Sequence, residues 1–164
     1  MKTIAAAFFV LVCLATFSYG QKLKSKDLDK LGGAQWVGNL TYRDYSSDKK
    51  VSISCNLAVT KSGKKNSWIF SYLYPKEPKA NSADTVVLSD DGKIFDKEMV
   101  IERTKLADGT LKFVTQKEGS DNDKKAMFRF TYLIGDKTFS LKKEVKYLEG
   151  SADYFERNEY KWTR

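Results

Sequence analysis

Two basic side chains fall in step with apolar strand faces, and they are the residues best placed for chemistry in this chain. In the run Phe139, Leu141, Lys143, Val145, Tyr147 every second residue is apolar except the lysine, so Lys143 occupies a register that should face inward. A lysine buried there is costly without a partner. It calls for an internal carboxylate, a polar ligand head or water, or else for a bulge that turns it out. Arg157 follows Phe155 by two and precedes Glu159 by two, which sets all three on one face. An Arg157–Glu159 pair there is either structural or part of a ligand site.

Catalytic groups are scarce. The chain has no histidine, which removes the commonest general base, metal ligand and nucleophile activator together. Cys55 lies on an apolar strand face with no charge beside it in sequence, the setting of a small buried hydrophobe rather than a reactive thiol. Asp121-Asn122-Asp123 could offer oxygens to calcium, but the EF-hand spacing and its glycine are missing, and a solvated turn is the expected reading. Paired carboxylates such as Glu102 with Asp44 or Glu159 could serve a hydrolase, with no spacing to support it. No enzyme activity, metal or cofactor is expected.

Aromatic residues are dense and regularly placed. Trp68, Phe70, Tyr72 and Tyr74 alternate along one run, and Phe128, Phe130 and Tyr132 along another. Such faces pack a core, and the same residues would line an internal cavity. Asn39-Leu40-Thr41 matches a glycosylation sequon, meaningful only where exported proteins are glycosylated.

The elements that must position these groups are short strands. From Gln35 onward apolar-alternating runs are separated by turn residues every ~8–12 positions, the spacing of an all-β sandwich or barrel. Val51, Ile53, Cys55, Leu57 and Val59 share one face of the clearest strand. Turns are expected at 46–48, 62–63, 90–92, 108–109, 119–124, 135–137 and 149–153, with Asp91-Gly92 and Asp108-Gly109 suited to tight hairpins. These connections are too short for crossover helices, so the strands should form an antiparallel up-and-down meander of about ten. Closing it into a barrel hides the edges most completely, with a two-sheet sandwich as competitor. Ser25 to Leu31, with Leu23, Leu28 and Leu31 on one side, predicts a short helical turn, and Pro75 to Asp84 a longer loop suited to cover an opening.

Residues 1–20 have the parts of an export signal: Lys2, an apolar run from Ile4 to Ala15, then Ser18 and Gly20. Cleavage is expected after Gly20, with delivery to the periplasm or the exterior. The apolar run is well under the roughly 20 residues that span a bilayer. The alternative, a lipoprotein modified at Cys13, is disfavoured by Val12 before it. Residues 21–34 should then lead into a single barrel domain over 35–164. The net charge is +8, but all except five of the 29 basic residues are lysines, interspersed with acids as in Lys142, Lys143, Glu144, Lys146. That pattern reads as a solvating surface, and neither nucleic acid nor a membrane span is expected. The mature chain is expected to be a monomer.

The order of a helical turn, then Gly33-Ala34-Gln35-Trp36-Val37-Gly38, then a continuous meander resembles the calycin group, the lipocalins and their relatives. The resemblance covers the mature chain in pattern. Lipocalins carry Gly-x-Trp, whereas here the glycine stands three positions before Trp36. It implies a basic residue from the last strand packed over Trp36, with Arg157, Lys161 and Arg164 the possible matches. The Arg-x-Tyr carboxylate motif of fatty-acid-binding proteins is absent, and the histidine of haem-binding small barrels has no counterpart.

The leading reading is a lipocalin-like barrel holding a small apolar or amphipathic ligand. Trp68, Phe70, Tyr72, Phe128, Phe130 and Tyr132 would form its wall, and Lys143 or Arg157 would meet a polar head. The alternative is an envelope or extracellular protein acting through its outer surface and the 75–84 loop, over a solid core.

Overall fold

A computed structural model describes residues 22–33, 35–150 and 153–164; the expected export signal lies outside the described residues. The chain forms strands β1 (Gln35–Arg43), β2 (Lys50–Ser54), β3 (Asn56–Lys61), β4 (Ser67–Leu73), β5 (Ser82–Val87), β6 (Ile94–Phe95), β7 (Glu98–Lys105), β8 (Leu111–Asp121), β9 (Lys124–Ile134), β10 (Thr138–Tyr147) and β11 (Phe155–Thr163). All pairings are antiparallel. The sheet order is β5-β4-β3-β1-β11-β10-β9-β8-β7-β6, with β2 paired to β1 beside that path. A single bridge between Leu88 and Phe95 ties the two ends of the sheet together. The result is a nearly closed barrel on a ten-strand path, consistent with a calycin-like fold.

The strand expected over Val51 to Val59 is interrupted at Cys55. β2 pairs with the second half of β1 and β3 with its start, so Cys55 is the corner where one ribbon bends around the barrel. The face Val51, Ile53, Cys55, Leu57, Val59 is as expected, graded from exposed at Val51 to fully buried at Leu57. The turn expected over 119–124 is tighter. β8 runs on to Asp121, and only Asn122 and Asp123 connect it to β9, both with positive φ (51° and 62°), the geometry that matches strand twist in a two-residue hairpin. Asp96 and Lys97 join β6 to β7 in the same way, without glycine.

One end of the barrel is sealed. Trp36, Leu57, Phe113, Ile134 and Phe139 are fully buried there, and Leu23, Leu28 and Leu31 close over them from two short 3-10 turns, Ser25–Asp27 and Asp29–Leu31. Each such side chain contributes about 1.5–3 kcal/mol by leaving water. Two of the three buried indoles are satisfied as they go in: Trp36 Nε1 donates to the Leu31 carbonyl at 2.9 Å and Trp162 Nε1 to the Cys55 carbonyl at 2.8 Å, while Trp68 Nε1 has no hydrogen-bond partner among the described residues. Trp162 stacks on Phe139 and Tyr160 with centroids at 4.9 and 5.0 Å. It lies across Gly38, where a Cβ would come within 2.0 Å of the Lys161 carbonyl oxygen and 2.7 Å of the indole. Of the three basic residues the resemblance proposes for Trp36, Arg164 takes the place, its guanidinium 4.5 Å from the ring centroid.

Candidate functional site

The opposite end is open, and the inward charges gather toward it. On β10 the alternation predicted from sequence holds: Phe139, Leu141, Lys143 and Val145 pair in turn with inward Ile134, Tyr132, Phe130 and Phe128 of β9. Lys143 therefore points into the barrel. Its ammonium lies 4.1 Å from the Phe128 ring centroid and 6.0 Å from that of Phe130, and among the described residues no carboxylate is within ion-pair distance. Burial holds its pKa below the usual lysine value; Asp121 and Glu98 pull against this and Lys117 adds to it.

Arg157 is set by a bulge. Lys143 pairs with Asn158 and Glu144 with Glu156, so Arg157 is the extra residue of β11 and the inward phase changes there. Phe155, Arg157 and Asn158 reach the inside, whereas Glu159 pairs with Lys142 and Thr41 on the outer face and binds Lys161 at 2.8 Å. The expected Arg157–Glu159 pairing on one face is thus corrected. The partner of Arg157 is Asp121, whose Oδ1 is 3.4 Å from its Nε, at an angle that makes an ion contact without a hydrogen bond.

Asp121 is the organising acceptor of the mouth. It closes β8 with its side chain only 2 % exposed and takes hydrogen bonds from Tyr45 Oη at 2.8 Å and Tyr147 Oη at 3.0 Å. The residue first read as part of a solvated turn is therefore buried at its carboxylate end. The Arg157 guanidinium stacks over the Tyr45 ring, 3.2 Å from its centroid. Burial, then repulsion from Arg43, lowers the pKa of Arg157.

These groups frame a cavity of about 390 Å³ at the mouth, lined by Leu40, Tyr42, Ile53 and Tyr74 together with Arg43, Lys143 and Arg157. Ala80, from the 3-10 turn Pro78–Ala80 within the predicted 75–84 loop, lies on its rim. Two of its cations, Arg43 and Arg157, carry a buried Nε that makes an ion contact, to Asp48 at 3.3 Å and to Asp121 at 3.4 Å, without a hydrogen bond. A smaller inner cavity of about 180 Å³ lies deeper, with Phe70, Tyr72, Phe130 and Tyr132 in its wall. Of the aromatic set singled out in sequence, these four meet at the inner cavity. Phe128 lies under Lys143 between the two, and Trp68 is packed in the core at 2 % exposure.

The inner cavity also holds a polar cluster that sequence reading passed over. Glu98, 2 % exposed, accepts a short hydrogen bond from Thr115 Oγ1 and an ion pair from Lys117 Nζ at 2.9 Å. Burial raises its pKa above the ordinary carboxylate value despite both partners. A signal existed: Lys117 stands in phase with Leu111, Phe113 and Thr115, as Lys143 does in its own strand.

Outside the barrel, a groove of about 590 Å³ crosses β1, β11, β10 and β9 near the sealed end, with Val37, Leu106 and Leu133 as its apolar floor. No helix among the described residues is long and apolar enough to cross a membrane. Compared with known proteins, the chain matches no family model and no curated protein.

Proposed function

We propose that this chain is an exported binding protein of calycin type that holds a small amphipathic anion in its barrel mouth and transforms nothing. In this reading residues 1–20 are a signal removed after Gly20, and the remainder is one domain. The observation that carries it is the charge state of the mouth. Three cations line one cavity: among the described residues Lys143 has no carboxylate within ion-pair distance, and the Arg43 and Arg157 Nε atoms make ion contacts to Asp48 and Asp121 but no hydrogen bond. Half-buried cations with incomplete hydrogen bonding are costly, and a carboxylate or similar head would pair with Lys143 and complete the hydrogen bonding of the two guanidinium groups. The apolar body would lie against Leu40, Tyr42, Ile53 and Tyr74, and the volume falls in the usual range of small-molecule sites, about 300–1,000 Å³.

Calorimetric titration of delipidated protein with decanoate and with decanol tests the charge requirement directly. Decanoate should bind about tenfold or more tightly than decanol, and Lys143→Met and Arg157→Met should each remove most of that preference. Equal affinity for acid and alcohol, or no binding by folded protein, would overturn the reading. The outer groove favours a second reading, action through the exterior. Substituting Leu133→Lys, which leaves the mouth untouched, should abolish partner capture only under that alternative.

A further inference from the structure

The inner cavity differs in chemistry from the mouth. Five aromatic rings, those of Phe70, Tyr72, Phe95, Phe130 and Tyr132, form its wall. Two carboxylates face it, Glu98 and Asp96, against one ammonium, Lys117. Its local charge is therefore negative where that of the mouth is positive. The Glu98 carboxylate uses two of its roughly four acceptor positions, on Thr115 and Lys117. Among the described residues Asp96 has no ion-pair partner; it is held in place by the tight Asp96–Lys97 turn, φ 50° and 66°.

The cavity wall already holds one ammonium of the chain's own. Lys117 Nζ stands 2.9 Å from Glu98 and 5.3 Å from the Phe130 centroid, an ammonium between a carboxylate and a ring face. Ring faces attract cations through their quadrupole, most strongly where water is excluded. The volume, about 180 Å³, is below that of drug-sized sites, so the occupant is small. Val86, Phe95 and Glu98 come from β5, β6 and β7, so the cavity backs onto the seam where the Leu88–Phe95 bridge joins the sheet ends.

We infer that the inner cavity is a second binding site, separate from the mouth, that takes a small primary amine carried on an apolar or aromatic body. The ammonium would donate to Glu98 and Asp96, and the body would lie among the five rings.

Phenethylamine, phenethyl alcohol and phenylacetate share one body and differ in head charge, and calorimetry of each against the full chain reads the preference. The amine should bind at one site, about tenfold or more tightly than either analogue. Glu98→Gln should remove that preference. Because Glu98 is buried and its loss could disturb folding, Asp96→Asn supplies a milder test: asparagine tolerates the left-handed turn, and the amine should weaken several-fold. Lys143→Met should weaken decanoate and leave the amine in place. Absence of amine binding by protein with an intact near-ultraviolet dichroism spectrum, or equal binding of amine and alcohol, would overturn the inference. So would amine binding lost with Lys143→Met and kept with Glu98→Gln, which would move it to the mouth. Failure with the amine while decanoate still binds refutes this site alone.

Discussion

Replacing Asp121 by asparagine tests whether the mouth is held together by one buried charge. The side chain keeps its size, but asparagine offers a single oxygen acceptor where the carboxylate serves both Tyr45 and Tyr147. Losing one hydrogen bond to a charged group costs about 1.5–3 kcal/mol. Arg157, 9 % exposed at its side chain, is then left without its counter-charge, and removing one partner of a buried pair costs about 3–5 kcal/mol in all. The stacking of Arg157 on Tyr45 survives, which places the total at the lower end, about 3 kcal/mol. Urea denaturation should register this, and thermal unfolding should show a fall in melting temperature of about 6–12 °C. Arg157→Met alone leaves Asp121 with two tyrosine donors and should cost only about 1 kcal/mol. In the double variant no orphaned cation remains, so its cost should be about 2 kcal/mol where simple addition gives about 4. Strict additivity of the two single changes would refute the claim that these groups stabilise one another.

Three further outcomes follow from packing and charge. At Gly119→Ala the new Cβ would stand 2.4 Å from Phe128 Cε2; the forced shift should cost about 1–3 kcal/mol in urea denaturation and, by moving the ring under Lys143, weaken decanoate. Arg164→Ala uncovers Trp36 and should cost about 0.5–1 kcal/mol, with a change in tryptophan emission that a variant at exposed Lys79 does not show. The pH dependence of Glu98 runs opposite to that of a paired surface carboxylate. Its folded pKa is raised above 4.5, so its contribution to stability is full below that value and is lost as pH rises through the folded pKa. Wild type should therefore gain stability relative to Glu98→Gln on acidification from pH 7 to 4, and a constant difference between the two would contradict the burial argument.

Much of the barrel is legible in sequence because period-two alternation is a local signal. The phase of Lys143 among Phe139, Leu141 and Val145 places it inside, and the Asp-Gly pairs mark Gly92 and Gly109, both at positive φ. Arg157 shows where such reading stops. One extra residue in β11 changes the phase, so Glu159 falls outside although alternation from Phe155 puts it inside. No residue type announces that bulge. The burial of Asp121 is hidden for a related reason: the sequence marks a turn at Asp121-Asn122-Asp123, while the carboxylate reaches Tyr45, just past the end of β1, and Tyr147, the last residue of β10, contacts that sequence neighbourhood does not encode. Glu98 and Lys117 were within reach, since the test that found Lys143 finds Lys117 as well.

The pairing of β1 with β11 also governs the order of assembly. Among the described residues every other ladder joins strands that are neighbours in the chain or, for β1 with β3, one strand apart, so each can form as soon as its two strands exist. The β1–β11 ladder matches Gly38 with Trp162 and must wait for nearly the whole domain. Until then the N-terminal and C-terminal meanders are two open sheets, each with a bare edge at what will become the middle of the wall. Closing so long a loop late makes folding slow, and the exposed edge of β1 is where a half-made chain would join another. A change that weakens β11, such as at Trp162, should lower the yield of soluble protein out of proportion to its effect on the finished barrel.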